Sequence, residues 1–174
     1  MTLGRRLLDP GDWPLWAGLF SAAMLAGAHG FEAAGYAPCT LCLRQREAHW
    51  AVLGFAAAAI ALRLLFRARM RHGLVALCLA LLFTASFAAA AFHAGVEWKW
   101  WPGPAACAGG GVGALSVDDL SGVLSGATPV RAPACDEAAW VFAGLSMAGW
   151  NAALSLGMAA LSLLVAVRSR RHAR

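Results

Sequence analysis

Residues 73–92 read GLVALCLALLFTASFAAAAF, twenty positions without a charged side chain, closed by His93. A helix of about 20 apolar residues covers the roughly 30 Å of hydrocarbon in a bilayer. Within lipid a lone segment must be helical, because no water is present to bond its backbone polar groups. Three further runs have the same character: Leu15 to Ala28, His49 to Phe66 and Val141 to Val167. The expectation is an all-α membrane protein: a four-transmembrane-helix bundle forming one integral domain over 1–174, with spans at about 15–34, 47–66, 73–93 and 141–167. The 174 residues are 60% hydrophobic and 13% charged, but it is the gathering of apolar residues into runs that excludes a soluble domain. A cleaved leader is the rival for the first run, since Arg5 and Arg6 precede it and Ala26-Gly27-Ala28 lies within it. Retention is expected, because three remaining spans would leave the C-terminal arginines outside.

The net charge of +5 reads as topology, and no nucleic-acid partner is expected. Arg5 and Arg6 precede the first run, Arg63, Arg67, Arg69 and Arg71 stand between the second and third, and Arg168, Arg170, Arg171 and Arg174 follow the fourth. These are ten of the fourteen basic residues, and the positive-inside rule makes their side cytoplasmic. Both termini are then internal, and the connections 35–46 and 94–140 are external. The longer one carries Gly109-Gly110-Gly111 and Gly113, which stiffen the backbone little. Ser116 to Asp119 has the form of a capping box, with Val117, Leu120, Val123 and Leu124 following at helical spacing. That pattern fits a short amphipathic helix on the membrane surface, or a solvated turn. Tryptophans 13, 16, 50, 98, 100, 101 and 140 fall near predicted span ends, where indole suits the headgroup zone.

Topology sorts the five cysteines. Cys39, Cys42, Cys107 and Cys135 are external, while Cys78 lies early in the third span and reads as a small packing residue. On an oxidising face the four external sulfurs are expected to form disulfides. Cys39-Thr40-Leu41-Cys42 closes a very small loop, as in readily exchanging redox dithiols. A bond between Cys107 and Cys135 would close a loop of 27 intervening residues and constrain the unfolded chain by roughly 3 to 4 kcal/mol. Zinc is the weaker alternative and no metal is expected, because structural zinc sites usually bring two close pairs. Arg46 stands one turn after Cys42, where a guanidinium can lower a thiolate pKa or bond a quinone oxygen; its alternative is ordinary interfacial snorkelling. His93 can carry a proton or simply end its helix. His49, three residues beyond Arg46, can line the same pocket, and His29 and Glu32 at i and i+3 can bond each other.

Taken together, these features resemble the DsbB family of bacterial disulfide-forming membrane proteins. The resemblance covers nearly the whole chain and rests on the four spans, on Pro38-Cys39-Thr40-Leu41-Cys42-Leu43-Arg44-Gln45-Arg46, and on the aromatic stretch Trp98 to Pro104 before Cys107. It implies an inner-membrane location with the active cysteines periplasmic, ubiquinone or menaquinone as acceptor from the membrane quinone pool, and a DsbA-like periplasmic thiol oxidase as donor. It further implies that Cys107 is attacked by the reduced oxidase, that Cys135 resolves the mixed disulfide or reaches Cys39, and that Cys42 contacts the quinone beside Arg46. His93 matches a family histidine. One rival is a vitamin K epoxide reductase-like quinone-linked enzyme, in which the loop pair precedes the C-x-x-C; here Cys39 and Cys42 come first. The other is a non-catalytic membrane subunit with a disulfide-stapled docking loop.

Overall fold

The computed structural model describes residues 8–65, 71–104, 107 and 134–172. Among these residues four long helices make up the body: α1 (Trp13–Ala33), α2 (Thr40–Leu65), α3 (His72–Glu97) and α4 (Met147–His172). Among the described residues between α3 and α4 lies one hairpin, β1 (Val141–Phe142) paired antiparallel with β2 (Leu145–Ser146). The helices α2, α3 and α4 are long and apolar enough to cross a membrane. Helix α1, at 21 residues, falls short by composition, because Pro14, Gly18, Gly27, His29 and Gly30 dilute its apolar run. The capping box at 116–119 and the helical pattern to Leu124 lie outside the described residues.

Helices α3 and α4 pack most extensively, α2 packs on both α1 and α3, and α1 barely touches α4. Leu79, Phe83, Val52 and Val165 fill the centre and are fully buried. Close approach depends on small residues, as is usual between helices in lipid. A Cβ added at Gly18 of α1 would lie 3.3 Å from the Ala56 methyl of α2. Trp13, expected among the interfacial tryptophans, is instead buried, and its indole N–H donates to Ser162 Oγ at 3.1 Å. An indole can enter the core here because α4 supplies the hydroxyl that its N–H requires.

The ends of the helices set up the site. Helix α1 stops at Gly35, whose φ of +98 lets the Tyr36 N–H reach the Phe31 carbonyl at 3.0 Å, a Schellman closure. Helix α3 closes the same way, with Lys99 left-handed (φ 60) and Trp100 N–H donating to the Gly95 carbonyl at 2.9 Å. The chain then doubles back: Trp101 donates to the Phe92 carbonyl at 3.0 Å and stacks on the Phe92 ring. Its indole covers Gly95, where an added Cβ would sit 2.1 Å from the ring.

Helix α4 begins at Met147, although the apolar run starts at Val141. The six residues before it differ from the expected helix because Ala143 and Gly144, both at positive φ, turn the strand Val141–Phe142 back on itself. Ser146 then starts the helix, its hydroxyl accepting from the Gly149 N–H at 3.1 Å.

Candidate functional site

Helix α2 starts at Thr40, so Cys39 stands just before its first turn and Cys42 within it. A C-x-x-C at a helix start brings the two sulfurs onto one face: Cys39 Sγ and Cys42 Sγ lie 2.8 Å apart, in hydrogen-bond contact as a dithiol. The Cys42 backbone N–H donates to Cys39 Sγ at 3.2 Å. From α3, His93 brings Nε2 to 3.6 Å of the same sulfur. Cys39 therefore sits among three donors. The Cys42 thiol has the largest effect, burial opposes it, and His93 adds to it; the net result holds the Cys39 pKa well below the usual thiol range.

Cys107 and Cys135 are joined in a disulfide that crosses from the end of the α3 extension to the chain entering β1. This disulfide packs directly on Cys39, with Leu41 and the half-buried Cys42 against the same cluster, so the sulfurs of Cys39, Cys42, Cys107 and Cys135 share one site. The backbone of Cys135 also lies against the His93 ring. On the outer side Lys99 grips Asp136, Nζ meeting the carboxylate at 2.5 Å and the Asp136 carbonyl at 2.8 Å. The hydrogen bond from Lys99 is the main cause holding the Asp136 carboxyl below its usual range.

A cavity of about 420 Å³ opens beside Cys39 and Cys42 in the gap between α1 and α4. Met24, Leu25, Phe31, Trp140, Phe142 and Leu154 make most of its wall, while Arg46, His49, Gln45 and Asn151 supply polar groups. Trp140 stacks on Phe142 with ring centroids 5.8 Å apart and meets Phe31 at 5.2 Å, giving the mouth an aromatic rim. A mainly apolar cleft with a few convergent polar groups suits a flat lipid-soluble ring. The sequence-derived residues Cys42, Arg46, His49 and His93 all line it.

The position of Arg46 differs from the expected contact with Cys42. Its guanidinium turns to α1, bonding Glu32 at 2.5 Å and the Ala28 carbonyl at 3.1 Å. Its side chain is only 13% exposed, against 68% for Arg44, which pairs with Glu47 on the surface. Glu32 also lies 3.5 Å from His29. Cys39, Cys42 and His93 place their donor atoms within 4.8 Å of one another.

Sequence reasoning missed Gln45 and Asn151. Both are buried, and they bond each other at 2.6 Å between α2 and α4. For Asn151 the available signal was an uncharged polar side chain inside an apolar run, which in a bundle faces inward; Gln45, set between Arg44 and Arg46, carried no such signal.

The sequence matches the family of disulfide bond formation protein DsbB over residues 11–165. The chain belongs to the DsbB family. It is thus a membrane thiol oxidoreductase of disulfide-bond formation, in a family that is generally quinone-linked. No curated protein and no solved structure matches it significantly.

Proposed function

We propose that the protein reoxidises a DsbA-type periplasmic thiol oxidase and passes the two electrons to a membrane quinone, ubiquinone or menaquinone. The observation that carries this reading is the single cluster of four sulfurs, one pair of which borders an apolar cavity. Under this reading α1 is the fourth span, both termini are cytoplasmic, and the sulfur cluster faces the periplasm of the bacterial inner membrane.

Cys107 takes the attack of the reduced oxidase and Cys135 leaves as thiolate. Cys135, packed on Cys39, then attacks the Cys39–Cys42 disulfide and frees the Cys42 thiolate. Closure of the oxidase disulfide returns the Cys107–Cys135 bond as Cys135 and Cys39 separate, leaving Cys39 and Cys42 reduced. His93 donates to Cys39 during this exchange, favouring the thiolate at that sulfur. The walls contributed by α1 and α4 would hold the quinone, with Arg46 presenting its guanidinium to a ring oxygen. A bound quinone supplies the sink for two electrons and two protons, the same number that two oxidase thiols release on closing to a disulfide. Cys39 and Cys42 end the cycle as a disulfide.

Purified protein supplied with a quinone and reduced DsbA-type oxidase should consume the quinone, and Cys42→Ser should abolish consumption. Turnover at the wild-type rate in that variant would exclude the assigned route.

A further inference from the structure

Five buried polar side chains of the bundle form one connected series reaching from α1 to the reactive sulfur. Ser21 Oγ meets His49 Nδ1 at 3.3 Å, and His49 Nε2 meets Asn151 Oδ1 at 2.9 Å. Asn151 Nδ2 donates to Gln45 Oε1 at 2.6 Å, and Gln45 Nε2 lies 2.7 Å from His93 Nδ1. His93 Nε2 ends the series at Cys39 Sγ. These side chains are no more than 7% exposed, and each helix contributes at least one of them.

Chemistry fixes the direction of this series. Gln45 Nε2 is also turned to the Leu41 carbonyl at 3.5 Å, which can only accept, so the amide nitrogen of Gln45 faces the α3 side. Its oxygen therefore faces Asn151, whose nitrogen must donate. The Asn151 oxygen is left to accept from His49 Nε2–H and from the Ser155 hydroxyl at 3.1 Å. With an amide N–H pointing at it, His93 Nδ1 must be bare, and the ring proton is on Nε2, facing Cys39.

We infer that Gln45 and Asn151 are positioning residues whose paired amides lock His93 as the neutral Nε2–H tautomer, so that a one-way hydrogen-bond chain ends with a donor aimed at the Cys39 sulfur. Each donor in such a chain polarises the next, which strengthens the last bond in a low-dielectric interior. The consequence for turnover rests on the quinone reading above; the tautomer and the state of Cys39 do not. Cys42, His93 and Glu97 are the titratable groups around Cys39 among the described residues. Glu97 lies 3.8 Å from His93 Nε2 and accepts the Ser146 hydroxyl, while Arg46 and Glu32 pair with each other across the cavity.

The test uses full-length protein with Cys78, Cys107 and Cys135 changed to serine and the remaining pair reduced, alone and with Gln45→Leu or Asn151→Leu. Nitrogen-15 NMR of the histidines should show His93 bare at Nδ1 in the parent and mixed in both variants. Asn151→Leu does not touch His93, so a change there reports transmission through Gln45. The pH midpoint of Cys39 alkylation should rise by at least one unit in each variant, seen as about tenfold slower labelling below the parent midpoint. Asn151→Gln, which restores an amide, should recover much of this shift. A protonated Nδ1 in the parent, or an unchanged midpoint in both leucine variants, would overturn the assignment. Neither readout needs quinone or oxidase, so both remain valid if quinone reduction fails.

Discussion

The two cysteine pairs meet in one cluster, yet the chain builds them in opposite ways. Cys39 and Cys42 are held by a helix start, three residues apart, with His93 and the α2 backbone as donors. Cys107 and Cys135 are 28 positions apart and are brought together by tertiary anchors: Trp101 folded over Gly95 on one side and Lys99 clasping Asp136 on the other. A local pair keeps its geometry whether oxidised or reduced. A pair made by anchors can let one sulfur go, as exchange with a soluble protein requires. Under the proposed function, environment rather than the cysteines themselves would divide the labour between an electron outlet and a docking disulfide.

The largest effect should come from leaving one member of the anchored pair without its partner. Cys135→Ala should stop turnover and accumulate a covalent adduct with the oxidase through Cys107, visible on non-reducing gels; a second substitution, Cys107→Ala, should remove the adduct. On the local pair's side, Arg46→Gln removes a charge-assisted bond, an interaction typically worth about 1.5 to 3 kcal/mol. It should raise the quinone KM roughly 10- to 100-fold with a smaller change in kcat. A fall in kcat with KM unchanged would place Arg46 in the chemistry rather than in binding.

Gly95→Ala tests the anchor itself. The added methyl would meet the Trp101 ring at 2.1 Å, and overpacking of this kind costs about 1 to 3 kcal/mol. Thermal unfolding should shift accordingly, and dithiothreitol should reduce Cys107–Cys135 faster while leaving the Cys39–Cys42 rate unchanged. The smallest effect concerns the Lys99–Asp136 clasp, which is exposed. The Asp136 pKa is lowered in the fold, so its contribution is complete above the ordinary carboxylate pKa and is lost as pH falls through the lowered value. The rate at which a phosphine reduces Cys107–Cys135 in the wild type, taken relative to Asp136→Asn at the same pH, should therefore rise toward one as pH falls below 4.

Much of this contrast could be read from the chain. Three spans follow from runs such as 73–92, and the C-x-x-C is a local pattern whose geometry a helix start completes. The hairpin at 141–146 was hidden because Val141 and Phe142 continue an apolar run, and only the left-handed turn at Ala143 and Gly144 breaks it. Trp13 looked like an interfacial anchor because the hydroxyl that buries it, Ser162, is 149 residues away. Distance in sequence also hid the Glu32–Arg46 pair and the Gln45–Asn151 amides, contacts between helices that no periodicity reveals.

The most direct test is the order in which sulfurs oxidise. Fully reduced protein, mixed with quinone and no soluble thiol protein, should be quenched by alkylation at intervals and mapped by mass spectrometry. The Cys39–Cys42 disulfide should appear first and Cys107–Cys135 second, and Cys42→Ser should block both. Oxidation of Cys107–Cys135 at the wild-type rate in Cys42→Ser would contradict the account.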